Sequence, residues 1–243
     1  MDDTTKNFLK TLEELNGNKF DVYCPYSKKT VKANPLTFKQ QKDLISTLTD
    51  GTLGVIQFQK IIDNIILENT GEELSVLDRV AAIVKIRCES IGKELTIDGV
   101  KVDITSVLDK IANIKFPKFS PIKHTQFTVN LYVPTLKEEI KIINSILDDL
   151  KKDSKDLGKS IVNVYTHEIV KFVDSILVGE DLLDFKTLSI KERINIVERL
   201  PLSTNKEIIK EIENVRKVET ELLTVDVNGE EKSFDIDVSF FDS

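Results

Sequence analysis

Side chains that could carry out chemistry are few in this sequence, and they lie far apart. The 243 residues include two histidines, His124 and His167, and two cysteines, Cys24 and Cys88. Neither histidine has a cysteine or a second histidine at ligand spacing, so the pattern does not match a zinc site. A cysteine–histidine nucleophile would require the fold to bring distant residues together. We therefore expect two buried thiols in a reducing compartment.

Nucleotide and cation sites also lack a sequence signal. Neither a G-x-G-x-x-G nor a G-x-x-x-x-G-K-[ST] phosphate loop occurs, so we expect no nucleotide cofactor. Asp148 and Asp149 could bind a cation, as could Asp235 and Asp237 near the C-terminus. A solvated helix face and an exposed strand face explain these acids more simply. The sequence therefore predicts no catalytic residue, no metal ligand and no cofactor.

The overall composition indicates a soluble globular protein that binds neither nucleic acid nor membranes. Hydrophobic residues make up 40% and charged residues 31%, and 41 acidic against 34 basic residues give a net charge of −7. A nucleic-acid binder is expected to have a basic surface, because phosphate contacts dominate that affinity. No apolar run approaches the roughly 20 residues of a membrane span. The N-terminal residues lack the layout of a secretory signal, so we expect folding in a cytoplasm.

One charged residue lies on the apolar face of a predicted helix. The segment DRVAAIVKIRCESIG, residues 78–92, has apolar residues at i, i+3 and i+4 spacing, and Arg87 lies on that face. An unpaired buried charge is costly, so Arg87 needs a partner. Asp78 is too far along the helix for a one-turn pair, so we expect Asp43 or Asp63 on neighbouring helices. Arg87 is then a clamp between helices; the alternative is a residue reserved for a partner protein.

The first half of the chain has separate signals for short helices and hairpins. An amphipathic pattern over residues 4–15 predicts a helix, and alternation over residues 19–35 predicts a hairpin. The turn signal Asp98-Gly99 predicts a second hairpin. Further helices are predicted over residues 38–48, 54–68, 75–92 and 105–114.

The second half opens with alternation in TQFTVNLYV, which predicts a half-buried strand. Helices follow from residue 136 and over about 156–178. Asn228-Gly229 predicts a terminal hairpin, with a return strand in which Phe234, Ile236, Val238 and Phe240 alternate. Four capping boxes mark helix starts: Thr37–Gln40, Thr135–Glu138, Ser189–Glu192 and Thr204–Glu207.

Two apolar features are candidate contacts for another protein. One is a seam with 4-3-4-3 spacing on the helix from residue 136, typical of a short coiled coil; it consists of Leu136, Ile140, Ile143, Leu147 and Leu150. Two heptads do not establish a coiled coil, and packing inside one chain is the alternative. The other candidate is the pair Phe240 and Phe241 at the end of the terminal hairpin.

The fold class that these elements predict is α+β, mostly helical, with β-hairpins near the N-terminus and at the C-terminus and a few additional strands. The stretch KFPKFSPIK has no periodic pattern, and its prolines favour extended backbone. We therefore predict the following organisation: an N-terminal helical arm over 1–17, an N-terminal lobe over 18–116, a proline-containing connector over 117–123 and a C-terminal lobe over 124–243.

Two blocks of the sequence resemble a known family. FDVYCPYSKKTVKANPLTFKQQKDLI and DRVAAIVKIRCESIG, followed by a final hairpin ending in SFF, resemble the baseplate hub assembly family of T-even-type contractile-tailed bacteriophages. The resemblance extends in order and spacing from about residue 19 to residue 241. It is most specific over residues 20–45 and 78–92, whereas residues 115–190 resemble nothing in particular.

The resemblance implies a non-enzymatic role in building the central hub of a phage tail baseplate. Members of the family act as hub subunits or as chaperone-like assembly factors, and they have no catalytic residues to carry over. The implied partners are other hub and tail proteins. The implied locations are the host cytoplasm during assembly and, for a subunit, the baseplate of the virion. Rotational symmetry of such hubs favours repeated copies of the chain by analogy.

Two alternatives belong to other classes of function. Dispersed carboxylates could form the site of a hydrolase, which would require a deep pocket holding two carboxylates with shifted pKa values. A host-directed adaptor would bind cellular proteins and would not associate with tail intermediates. The sequence leaves open the choice between subunit and assembly factor, the copy number, the host and the direct partner.

Overall fold

The chain divides into two compact units. The computed structural model describes residues 2–6, 8, 18–47, 51–152 and 157–242. Unit 1 contains the described residues up to Leu74, Asp78–Ile114 and the C-terminal segment from Leu222, and unit 2 contains Ser75–Leu77 and Lys115–Glu221. The predicted C-terminal lobe over 124–243 is therefore corrected, because the terminal hairpin belongs with the N-terminal half of the chain. Contacts across the sequence, which a linear reading of the chain cannot contain, decide this assignment.

The α+β class with predominant helix is confirmed by the described elements. The helices are α1 (Phe38–Ser46), α2 (Gly51–Thr70), α3 (Arg79–Ser90), α4 (Thr105–Asn113), α5 (Leu136–Lys152), α6 (Leu157–Phe172), α7 (Ile190–Arg199) and α8 (Leu202–Leu222). Short 3-10 segments cover Val76–Asp78, Phe185–Thr187 and Val238–Phe241. Of the helix predicted over 4–15, residues 4–6 and 8 are described and helical, and the remainder lies outside the described residues.

All the described strands pair in antiparallel fashion. They are β1 (Phe20–Cys24), β2 (Lys29–Ala33), β3 (Glu94–Ile97), β4 (Val100–Asp103), β5 (Ile122–Lys123), β6 (Thr128–Leu131), β7 (Val173–Val178), β8 (Asp181–Asp184), β9 (Thr224–Val227) and β10 (Glu230–Ser233). In unit 1 the strands form the hairpins β1–β2, β3–β4 and β9–β10. In unit 2 the strands β5, β6, β7 and β8 form one sheet in that order.

Both Asx-Gly turns and the capping boxes at Thr37, Thr135 and Ser189 fold as the sequence predicts. Asp98 and Gly99 both have positive φ, at 50° and 78°, as do Asn228 and Gly229, which is the geometry of a tight type I′ hairpin turn. The capping boxes at Thr37 and Ser189 form both of their reciprocal bonds. The box at Thr135 also forms.

Several element boundaries differ from the predictions. The helix predicted to run to residue 178 ends at Phe172, and its last apolar residues form β7, which pairs with both β6 and β8. The return strand of the terminal hairpin ends at Ser233, and Val238–Phe241 is a 3-10 turn. The helix expected to start at Thr204 begins at Leu202, directly after Pro201. In the first two cases a run of apolar residues fitted two periodicities, and packing decided between them.

The core of unit 2 contains a buried ion pair. Apolar residues of β5, β6, α6, β7, α7 and α8 pack together there. Lys171 lies at the edge of this core with its side chain 4% exposed, and its Nζ atom is 2.8 Å from Glu139 Oε1. The same ammonium contacts Glu168, whose other carboxylate oxygen forms an ion pair with Arg216 Nη2 at 2.6 Å. Glu139 is equally buried, and Lys171 compensates its charge.

We expect Lys171→Met to destabilise the protein by about 3–5 kcal/mol, because it leaves the Glu139 carboxylate buried without its cation. Glu139→Gln combined with Lys171→Met should restore part of this loss. Chemical denaturation followed by circular dichroism measures both effects. The matched control is Lys217→Met, which removes an exposed ion pair with Glu221 and should change stability by less than about 0.5 kcal/mol. Equal losses in Lys171→Met and in the control would contradict the assignment.

Candidate functional site

Arg87 joins three backbone segments of unit 1. Its side chain is 1% exposed. Nε donates to the Phe240 carbonyl at 3.0 Å, Nη2 donates to the Glu94 carbonyl at 2.6 Å, and Nη1 donates to the Gly92 carbonyl. The guanidinium carbon is also 5.5 Å from the centroid of the Phe240 ring. Burial lowers the pKa of Arg87, because desolvation penalises the charged form.

The carboxylate partners expected for Arg87 are corrected by this geometry. Asp63 is buried, and its two oxygens accept from Arg79 at 2.7 and 3.3 Å. Asp43 is exposed on α1. Arg79 is eight residues before Arg87 on α3, or about 12 Å along the helix axis. Asp63 therefore meets the start of α3, and Arg87 takes backbone carbonyls as its acceptors in place of a carboxylate.

Asp78 has a structural role that the sequence did not indicate. Its carboxylate is fully buried, and Oδ1 accepts from the backbone amides of Tyr26 at 2.8 Å and Ser27 at 3.3 Å. The Ser27 hydroxyl donates to Oδ2. Asp78 thus fixes the turn between β1 and β2, and burial together with this charge raises the pKa of Tyr26. The sequence separation of 52 residues between Tyr26 and Asp78 explains why no local pattern predicted the contact.

Phe240 and Phe241, predicted as partner contacts, are fully buried in unit 1. The rings of Phe240 and Phe241 meet edge to face at 5.1 Å, and Phe241 meets Phe58 in the same way at 6.2 Å. Gln41 Nε2 donates to the Phe241 carbonyl at 3.0 Å. The 3-10 turn directs both rings inward, whereas the predicted strand would have alternated them. These two residues therefore form part of this chain's own core.

The 4-3 seam of α5 is also used mainly inside the chain. Leu136, Ile143 and Leu147 are buried in unit 2. Ile140 and Leu150 are half-buried. This is packing inside one chain, the expected alternative to a coiled-coil contact. The seam consequently presents little apolar surface to a partner.

The two thiols are buried, and their pKa values are raised. Cys24 is fully buried, and burial together with the charge of Asp78 raises its pKa to about 12. Burial also raises the pKa of Cys88. Because the thiolate is the reactive form, neither environment suits a nucleophile.

Three of the described carboxyl groups have lowered pKa values. The carboxyl pKa values of Asp103, Glu192 and Glu231 are lowered by hydrogen bonds from Thr105, Ser189 and Thr224 respectively. A general acid requires a shift in the opposite direction. Over the described ranges, no three His, Cys, Asp or Glu side chains are grouped to hold a metal ion. The helices of that same part of the chain lack the length and apolar character of a membrane span.

Exposed apolar side chains occur in each unit and are the candidate contact surfaces. In unit 1, Phe38 and Ile45 are 77% and 42% exposed, and they lie two turns apart on one face of α1. Val55 lines an apolar groove of about 460 Å³ with Phe58, Ile236 and Val238. In unit 2, the β7–β8 hairpin exposes three apolar residues: Val178, Leu182 and Leu183.

Comparison with known families identifies the kind of protein. A family model described as T4 bacteriophage base plate protein matches residues 18–241. The chain belongs to this family. The resemblance to a T4-type phage baseplate protein is thereby confirmed, and the matched range includes both units. No curated protein and no solved structure matches the chain.

We expect Arg87→Met in this baseplate protein to destabilise unit 1 by about 3 kcal/mol or more, because three carbonyls lose their donor. Arg87→Lys should recover little of this lost stability, since an ammonium cannot reproduce the planar set of N–H donors of the guanidinium. The measurement is the free energy of unfolding in urea. Lys85→Met, on the same helix but in a partly exposed pair with Glu89, is the control. An Arg87→Lys variant as stable as the parent would contradict the role of this planar set of donors.

Thiol labelling tests the burial of the cysteines. At pH 8 both Cys24 and Cys88 should react slowly with an aromatic disulfide reagent in the folded protein, because their raised pKa values keep them protonated. After unfolding in guanidinium both should react quickly. The reaction is followed by absorbance, and fast labelling of Cys24 in the folded chain would contradict its burial.

Proposed function

We propose that this protein is a non-enzymatic component of the hub at the centre of the baseplate and that it acts by binding other tail proteins. The observation that carries the proposal is the family match over residues 18–241, which spans both compact units. A family assignment over nearly the whole chain supports a role in the baseplate that involves the complete fold.

The use of the polar side chains supports a role in binding. Arg87, Asp63 and Asp78 are buried and engaged in contacts that hold unit 1 together. Lys171 and Glu139 have a similar position in unit 2. Polar groups that satisfy one another inside a fold stabilise it and are not directed at a substrate.

The exposed apolar side chains support the same proposal. Most polar surfaces of a soluble chain need no partner, whereas grouped apolar residues mark sites of protein contact. Unit 1 has such residues on α1 and around the groove at Val55, and unit 2 has them on the β7–β8 hairpin. A hub component that contacts more than one neighbour requires separate surfaces of this kind.

Quantitative mass spectrometry of purified phage particles tests the proposal. We expect the chain in particles at a fixed copy number relative to other baseplate proteins, as for a structural subunit. Particles from a phage with an early stop codon in this gene are the control and should lack the signal.

The same measurement on tail intermediates separates the two hub roles. An assembly factor would be present in hub-containing intermediates of infected cells and missing from finished particles. A chain absent from both, and recovered instead with host proteins, would contradict the hub role and favour the host-directed adaptor.

A further inference from the structure

Strand β8 is an open edge of the unit 2 sheet. It pairs with β7 in the register Val178↔Asp181 to Ser175↔Asp184. Gly179, with φ of 62°, is the first residue of the two-residue turn between them, the position of glycine in a type II′ hairpin. All four residues of β8 are exposed. The strand therefore borders β7 on one side and solvent on the other.

The backbone of β8 offers hydrogen-bonding groups on its free side. In an antiparallel pair, successive residues alternate between bonding the neighbouring strand and pointing away from it. Asp181, which closes the turn, bonds Val178, so Leu182 and Asp184 direct their amides away from β7. The Asp184 carbonyl accepts from Thr187 Oγ1 at 2.7 Å. The amide and carbonyl of Leu182 and the amide of Asp184 remain directed at the edge.

A row of apolar side chains crosses the sheet, and its last member, on β8, is partly exposed. The pairing register places Ile122 beside Val129, Val129 beside Ile176, and Ile176 beside Leu183. Opposite residues share one face of the sheet. The first three are at most 5% exposed, whereas Leu183 is 38% exposed. The core face of the sheet is therefore continuous up to β8, where one more strand would extend it.

The second face of β8 is apolar as well. Leu182 lies opposite Leu177, and its side chain is 63% exposed. An added strand would therefore meet an apolar residue on each face at adjacent positions.

The rim of the edge is acidic. Glu180, Asp181 and Asp184 are exposed, and Asp174 lies on the same hairpin. The cation next to them, Lys186, is 3.3 Å from Asp174 and lies over the Tyr132 ring at 4.4 Å. A second copy of the chain would bring an identical acidic rim against this one, and like charges across a strand pair are destabilising. A basic segment has the complementary charge.

We propose that β8 accepts a fifth strand from an extended segment of another tail polypeptide, with two adjacent apolar residues between flanking lysines or arginines. This pattern is the complement of the β8 sequence Asp-Leu-Leu-Asp. Main-chain bonds to Leu182 and Asp184 supply affinity, and the side chains supply specificity. The proposal rests on the proposed function, in that it names the chemistry of one partner segment.

Two synthetic peptides of equal length test the surface on the full chain. One is centred on Lys-Val-Val-Lys and the other on Glu-Val-Val-Glu. Fluorescence anisotropy should show the basic peptide binding about tenfold or more tightly than the acidic one. Amide hydrogen exchange should slow at Leu182 and Asp184 when the basic peptide is present. Failure of the basic peptide to bind, or protection confined to other elements, would overturn the proposal.

A backbone variant separates strand addition from simple charge attraction. Leu182→Pro removes one outward amide and keeps the ladder to β7, since proline is tolerated where the amide faces solvent. It should weaken binding of the basic peptide by about tenfold. Leu182→Ala retains the amide and is the matched control for loss of the side chain. A folded Leu182→Pro variant that binds as tightly as Leu182→Ala would overturn the proposal.

A charge variant covers the case in which Leu182→Pro does not fold. Asp181→Lys should weaken binding of the basic peptide several-fold, because it replaces an attractive charge with a repulsive one. For the same reason it should strengthen binding of the acidic peptide. Asp43→Lys makes the same change of charge on α1 of unit 1 and should alter neither affinity. Equal effects of the two variants would overturn a specific site at β8.

A chain found in particles but with no peptide binding would refute the strand addition and leave the hub role intact. Absence from particles and intermediates would refute the hub role whatever the peptides do.

Discussion

Unit 1 depends on a single buried guanidinium. Arg87 lies on α3, and the carbonyls that it binds belong to Gly92, Glu94 and Phe240, the last of them 153 residues away in sequence. Buried carbonyls that lack a donor are costly, and a planar group with five donors can satisfy several at once. The guanidinium is therefore the buried charged contact that fixes the end of the chain to α3 and to the start of β3. Phe240 covers it, and Phe241 extends the contact to Phe58 on α2.

This arrangement makes unit 1 discontinuous in sequence, with residues 115–221 inserted before its last segment. Closing a loop of that length has an entropic cost that grows only slowly with length, but it delays the contacts that depend on it. The β9–β10 hairpin is also linked to α4 through Lys110, whose ammonium is 3.0 Å from the Thr224 carbonyl and 3.1 Å from Glu231 Oε1. The C-terminal segment thus completes unit 1 through several independent contacts.

Local signals in the sequence predicted local structure, but they could not predict contacts between residues that are distant in sequence. Asp98-Gly99 and Asn228-Gly229 specify turns by their tolerance of positive φ, and Thr37 and Ser189 specify helix starts by their own hydrogen bonds. By contrast, Val173–Val178 fits a buried helix or a buried strand equally well, and its pairing with β6 and β8 decides between them. The prediction that Phe240 contacts a partner protein failed for a similar reason. Alternation of apolar residues predicts an apolar face, but it does not indicate whether this chain or another protein packs on that face.

The features that limit edge-to-edge association also define the surface of β8. A short strand with charged residues is a common protection against self-association, and β8 has four residues, with aspartates at both ends. In an assembly that contains repeated copies, such protection matters because identical edges are present at high local concentration. Repulsion between acidic rims disfavours the self-pair, and the same charges favour a basic strand. Specificity then arises from rejection of the wrong partner as much as from attraction to the right one.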